Sequence, residues 1–124
     1  MFEVGGNEAA VEAGLAAIAH LFTDDFVCVF HALSGRVHPG LRGLRESWVD
    51  WLAPWESYRA EIQEYTDCGD RVLIVTRDYG RRRGMAREVD LHGYSVWTLR
   101  EDRIARAEFF AGDRAGAHAA AGLR

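Results

Sequence analysis

Residues 94–110, YSVWTLREDRIARAEFF, read as two strands joined by a charged turn, and this pairing decides the fold. Its first half alternates Ser95, Trp97 and Leu99 against Tyr94, Val96 and Thr98. Aromatic and β-branched side chains at period two suit a pleated, half-buried surface. Arg100, Glu101 and Asp102 form the turn. The second half puts Ala105, Ala107 and Phe109 on one face and Ile104, Arg106, Glu108 and Phe110 on the other. Two strands with so short a connection pair antiparallel.

The same pattern extends upstream. EVDLHGYSVWTL (88–99) and RVLIVTRDYG (71–80) flank the loop RRRGMA, which predicts a hairpin. YRAEIQEYTDC (58–68) adds a further strand before a Gly69-Asp70 turn. Before it, Leu41, Leu44, Trp48, Trp51 and Leu52 are spaced as one face of a helix, which Pro54 ends. FVCVFHAL (26–33) is a short strand, broken by SGRVHPG. EAAVEAGLAAIAHLF (8–22) predicts a helix with Asn7 as N-cap and Thr23-Asp24-Asp25 as its stop. DRAGAHAAAGL, from Asp113 on, predicts a last turn or two of helix. The order helix, strand, helix, then a meander of long strands gives one α+β domain over residues 1–124, its antiparallel sheet curved around the helices.

Composition narrows the function. With a net charge of -4 the chain lacks the clustered positive field of a nucleic-acid binder, and Arg81, Arg82, Arg83 and Arg87 read as a solvated hairpin loop. Cys28 and Cys68 make neither a disulfide framework nor a zinc site. Cys28, among Phe26, Val27, Val29 and Phe30, reads as a small inert hydrophobe. No metal and no cofactor is expected. There is no basic n-region at the start and no apolar run of membrane-spanning length, so the expectation is a cytoplasmic chain without membrane contact.

Three strings, LRGLRESWVDWLAPWESYRAEIQEY, CGDRVLIVTRDYGRRRGMA and YSVWTLREDRIARAEFF, resemble the SnoaL-like branch of the nuclear transport factor 2-like superfamily, over roughly residues 8–112. The resemblance implies a cone: a strongly curved antiparallel sheet folded around helices, with an apolar pocket between them. It implies a homodimer through the convex sheet face. It also implies a small hydrophobic, oxygenated metabolite as ligand. Some members of the family are cofactor-independent enzymes (polyketide cyclases, isomerases, epoxide hydrolases), and many have no assigned activity. One departure is visible. Members usually open with a long pocket-covering helix, whereas only MFEVGG stands before residues resembling their second helix. Residues 8–22 then do both jobs, or the pocket is more open than usual.

Strand alternation and the resemblance together propose a pocket lining: Cys28, Phe30, Trp48, Trp51, Val75, Arg77, Tyr79, Gly93, Ser95, Trp97 and Phe109. On 71–80 both alternating sets begin apolar, and the resemblance turns Arg77 and Tyr79 inward. Arg77 then matches the arginine of the family's epoxide hydrolases, with Tyr79 and Phe109 where two carboxylates would stand. Arg77 could equally form a structural ion pair with an acid such as Glu64 or Asp67. Asp78 and Glu108 become an inward acid pair only if the register is reversed on both strands. For a catalytic base, Arg77 and Tyr79 being the other candidates for chemistry, His31 is the best placed, near the mouth, and His92 comes next but falls on the convex face. Trp48 and Trp51 should face the concavity, and Trp55 should pin the helix–strand corner. Two functions follow: a binding domain of unassigned activity, or an acid–base enzyme using the same pocket.

Overall fold

The computed structural model describes residues 2–4, 8–31, 33 and 35–123, and their side chains from Ala13 onward. The elements are β1 (Phe2–Val4), α1 (Glu8–Ile18), a 3-10 turn (Ala19–Leu21), β2 (Phe22–Phe30), β3 (Val37–Pro39) and α2 (Gly40–Leu52). Four strands follow, β4 (Trp55–Asp67), β5 (Arg71–Arg82), β6 (Glu88–Arg100) and β7 (Arg103–Phe109), then α3 (Arg114–Ala121). All seven strands belong to one sheet in the order β1-β4-β5-β6-β7-β2-β3. Every pairing is antiparallel except β2 with β7. Register shifts in β4 and between β6 and β7 supply the local bends by which long strands curve around helices.

The expected α+β architecture with a curved, unclosed sheet is the one observed. Three local readings change. Thr23, Asp24 and Asp25 do not stop a helix but lie within β2, because Phe22 pairs with Ile104 and is buried. The two acids stay outside, with Asp25 bound to Arg100 and Asp24 4.0 Å from Arg103. Val37–Pro39, read as a break, forms a short edge strand on β2. Strand β4 begins at Trp55 rather than Tyr58.

Helix α2 lays its apolar stripe on the concave sheet, and Leu44 joins Phe22, Phe26, Cys28, Phe30 and Ala107 in the base of the cone. The helix approaches closely because Gly43 has no side chain: a Cβ there would meet the His38 Cβ at 2.7 Å. Leu52, Trp55 and Tyr58 form the helix–strand corner, as expected for Trp55. Gly80 on β5 makes room for it, since a Cβ would stand 2.6 Å from the Trp55 ring.

The opposite face of the sheet has a core of its own. α3 starts at Asp113, whose carboxylate accepts the Gly116 N–H at 2.9 Å, and ends at Gly122 with φ +82°. Its Ala117 and Ala121 pack on Leu73, Val96 and Phe110. This explains a correction on β5. Leu73 points out of the cone, buried under α3, so Val75, Arg77 and Tyr79 point outward with it. Ile74, Thr76 and Asp78 point inward. β7 keeps its expected register, with Phe109 inward and Glu108 outward.

Candidate functional site

A cavity of about 400 Å³ lies between α1, α2 and the concave sheet. Gly14, Leu15 and Ile18 of α1 close one side, so the single helix of residues 8–18 does serve the pocket. Leu44, Trp48, Trp51 and Leu52 come from α2, and Phe22 and Phe30 from β2. The sheet supplies Tyr58, Ala60 and Ile62, then Ile74, Thr76 and Asp78, then Gly93, Tyr94, Ser95, Trp97, and finally Phe109, with Ala111 in the turn just beyond it. Ile18 and Ile62, 39% and 61% exposed, form the lip. Trp48 and Trp97 each meet Phe109 edge-on, with ring centroids 5.5 Å apart. These rings are wall and core at once.

The polar groups gather on one side of the wall. On β4 and β5, Tyr58 pairs with Gly80 and Ala60 with Asp78, so Tyr58 and Asp78 are diagonal neighbours on the concave face. The small residues opposite each leave the phenol room to reach across, and its O–H donates to Asp78 Oδ2. Asp78 Oδ1 is buried and has no hydrogen-bond partner among the described residues. Beside it, Gly93 makes room for the Thr76 and Asp78 side chains: a Cβ there would stand 2.6 Å from Thr76 Oγ1 and 3.1 Å from Asp78 Oδ2. On β6, the Trp97 indole N–H donates to Ser95 Oγ at 2.9 Å. The Ser95 hydroxyl thus accepts from Trp97 and keeps its own proton free to donate.

Electrostatics support the same division. Burial, then the hydrogen bond and charge of Asp78, push the Tyr58 phenol well above its ordinary range, against a smaller opposite pull from the Trp51 side chain. The phenol therefore stays a donor to the carboxylate. Cys28 is fully buried and burial raises its thiol to about 11, the Ser47 hydroxyl opposing. It remains a neutral thiol, unsuited to nucleophilic work.

Of the lining expected from sequence, Phe30, Trp48, Trp51, Gly93, Ser95, Trp97 and Phe109 face the cavity. Cys28 is on the same face of β2 but packs below it, against the base of the cone. Val75, Arg77 and Tyr79 do not reach the cavity, because the register of β5 is reversed. Arg77 is exposed and grips Asp90, not Glu64 or Asp67, with Nε at 3.0 and 3.1 Å from the two carboxylate oxygens. Asp90 pushes the guanidinium further above its usual range. Tyr79 lies under Arg59, 4.2 Å from the ring centroid. His31 is exposed, stacked on Phe110 and 3.3 Å from Glu108, outside the cavity. Glu108 also faces Arg106 at 3.4 Å, so no inward acid pair forms. His92 is exposed. Tyr58, expected only to begin the sheet, Thr76 and Tyr94 are the polar lining residues that sequence reading missed. No group of three or more metal-ligating side chains comes together among the described residues.

Residues 7–107 match the SnoaL-like domain family. The chain belongs to that family. Solved structures agree on the fold. A putative SnoaL-like polyketide cyclase from Jannaschia sp. CCS1 is 16% identical, with TM-score 0.69, covering 97% of this chain and 84% of that one. TerC co-crystallised with polyporic acid is 19% identical, with TM-score 0.67, covering 95% and 90%. A hypothetical protein with a ketosteroid isomerase-like fold from Catenulispora acidiphila, in complex with trimethylamine, is 20% identical, with TM-score 0.65, covering 92% and 93%. No curated protein matches the chain. Among the described residues of this SnoaL-like domain, no helix is long and apolar enough to cross a membrane.

Proposed function

We propose that the cavity binds a small, largely apolar, oxygenated molecule, with its polar end against Asp78, Tyr58 and Ser95. The observation that carries this is the asymmetry of the wall: aromatic and aliphatic on nearly every side, with a carboxylate–phenol pair and a pre-set hydroxyl on the sheet side. Apolar burial gives affinity, and a few convergent polar groups give orientation. Two of the similar structures, those with polyporic acid and trimethylamine, hold a small organic molecule, which supports a ligand-binding role. The homodimer expected through the convex sheet has only the part of that face that α3 leaves open, which carries Arg59, Arg77, Tyr79 and Asp90. The test is a titration with 2-naphthol followed by tryptophan fluorescence, since three lining residues are indoles. Wild type should respond saturably, and Ala60→Phe, which pushes a ring into the cavity, should not. An unchanged titration in Ala60→Phe would place the probe elsewhere.

A second reading, an acid–base enzyme without a cofactor, is favoured by the inward turn of Asp78. The carboxylate is placed to take a proton from a carbon next to a carbonyl, the bonding pair moving to the carbonyl oxygen. The Ser95 hydroxyl, held by Trp97, could donate to the oxygen where that charge collects. Tyr58 would hold the carboxylate in position. Deuterium exchange into 2-tetralone measures this step. Exchange faster than in buffer, lost in Asp78→Asn, supports catalysis; exchange equal to buffer leaves binding alone.

A further inference from the structure

We infer that the ligand carries a basic nitrogen, protonated in the cavity, with Asp78 as its counter-ion and the aromatic rings as its cage. The inference rests on the binding role proposed above and names the chemical class of its ligand. Asp78 is the sole charged side chain lining the cavity among the described residues; no Lys, Arg or His faces it. A carboxylate on an apolar wall needs a partner to offset its lost hydration. Among the described residues it has one, the Tyr58 O–H, although two carboxylate oxygens can accept about four hydrogen bonds. Oδ1 has no hydrogen-bond partner among the described residues. On the convex face of the same strand, by contrast, Arg77 is matched by Asp90. Cations are available on this strand, yet among the described residues none is placed on Asp78.

The remaining wall suits the other half of an alkylammonium. Trp48, Trp51 and Trp97 line it, and indole faces are the strongest aromatic acceptors of a cation. Gly93 has no side chain, so Thr76 Oγ1 and Asp78 Oδ2 pack directly over its backbone, where a Cβ would stand 2.6 and 3.1 Å from them, and this close packing fixes the carboxylate on the wall. A neutral ketone or phenol would fill the apolar volume equally well. It would leave the carboxylate's charge without an opposite charge, which a protonated tertiary amine supplies.

The experiment compares N,N-dimethylbenzylamine, protonated at neutral pH, with isobutylbenzene, its neutral isostere, by calorimetry on wild type and Asp78→Asn. The amine should bind wild type about tenfold tighter than the hydrocarbon, roughly the worth of a desolvated cation–carboxylate and cation–π contact. Asp78→Asn should lose that preference and keep the hydrocarbon's affinity. Equal binding of the two probes by wild type, or tighter binding of the hydrocarbon, would overturn the inference and leave the apolar binding role intact. Failure of both probes to bind would overturn both. The wild-type ratio answers the question by itself where the variant does not fold.

Discussion

Arg77 and Asp78 are neighbours on one strand, and each has a partner of its own, yet the two pairs live in different media. Arg77 and Asp90 face solvent, charge against charge. Asp78 faces an apolar cavity, and its partner is a neutral phenol on the next strand. In water the first pair gains little, because solvent screens it and both long side chains lose freedom. In the cavity the second pair is under-satisfied, with one carboxylate oxygen left without a partner among the described residues. The exposed pair is finished as it stands; the buried one is shaped for something further. Good charge complementarity on a strand is thus a poor guide to where a site lies, and incomplete complementarity in an apolar setting is a better one.

The largest expected effect tests why β5 faces as it does. Leu73 is 2% exposed beneath α3. Leu73→Ala should cost about 2–5 kcal/mol in denaturant unfolding, from lost burial and the cavity left behind. Probe affinity in the folded fraction should be unchanged, since Leu73 belongs to the convex core. A loss of binding at undiminished stability would mean that the two faces of β5 have been exchanged.

Next in size is the pair itself. Tyr58→Phe removes the one donor to Asp78 among the described residues and should cost about 1–3 kcal/mol, as for a buried polar group left without a partner. The alkaline limb gives a second check. The folded phenol holds its proton above its unfolded value. The unfolded chain releases that proton near pH 10, so above about pH 10 the folded state binds more protons and stability falls as pH rises. The advantage of wild type over Tyr58→Phe should therefore shrink as pH climbs past that point. An advantage that stays constant or grows would contradict the buried, proton-donating phenol.

These residues also mark what could be read from sequence. The α+β order, the cone and most of the aromatic lining were legible, because helix spacing at Leu44, Trp48 and Trp51 and alternation at Ser95, Trp97, Ala107 and Phe109 each left one clear face. β5 was not legible for a definite reason. Val72, Leu73, Ile74 and Val75 are apolar on both faces because the strand is covered on both, by α2 and α1 across the cavity and by α3 outside. Alternation carries no information in a strand buried on two sides. The tail DRAGAHAAAGL held the missing signal: an alanine-faced helix must cover something, and a second apolar set on a neighbouring strand is what it covers. Tyr58 was hidden differently, since its contact with Asp78 depends on a diagonal pairing between β4 and β5 that no local pattern reports.

A smaller effect is expected at Gly93. The added Cβ of Gly93→Ala would press on Thr76 Oγ1 at 2.6 Å and stand 3.1 Å from Asp78 Oδ2. Both are side-chain atoms that can give way, so the cost should be about 1–3 kcal/mol, as for modest overpacking. Probe affinity should also fall, because the methyl group pushes the Asp78 carboxylate from its place on the cavity wall. Wild-type affinity in Gly93→Ala, measured by the same titration, would show that binding does not depend on where the Asp78 carboxylate sits.

The smallest expected effect is the most pointed test of the comparison. Arg77→Ala breaks the Asp90 pair, yet both partners are exposed and Tyr79 keeps its closer cation, Arg59, at 4.2 Å against 5.6 Å for Arg77. The denaturation midpoint and the probe affinity should both stay at wild-type values. The same holds for Asp90→Ala. Because Arg77 and Asp78 are adjacent, an inward Arg77 would require Asp78 to face out. A collapse of probe binding in Arg77→Ala would therefore do more than add a residue to the site: it would remove Asp78 from it, and with Asp78 the reason to expect a cationic ligand.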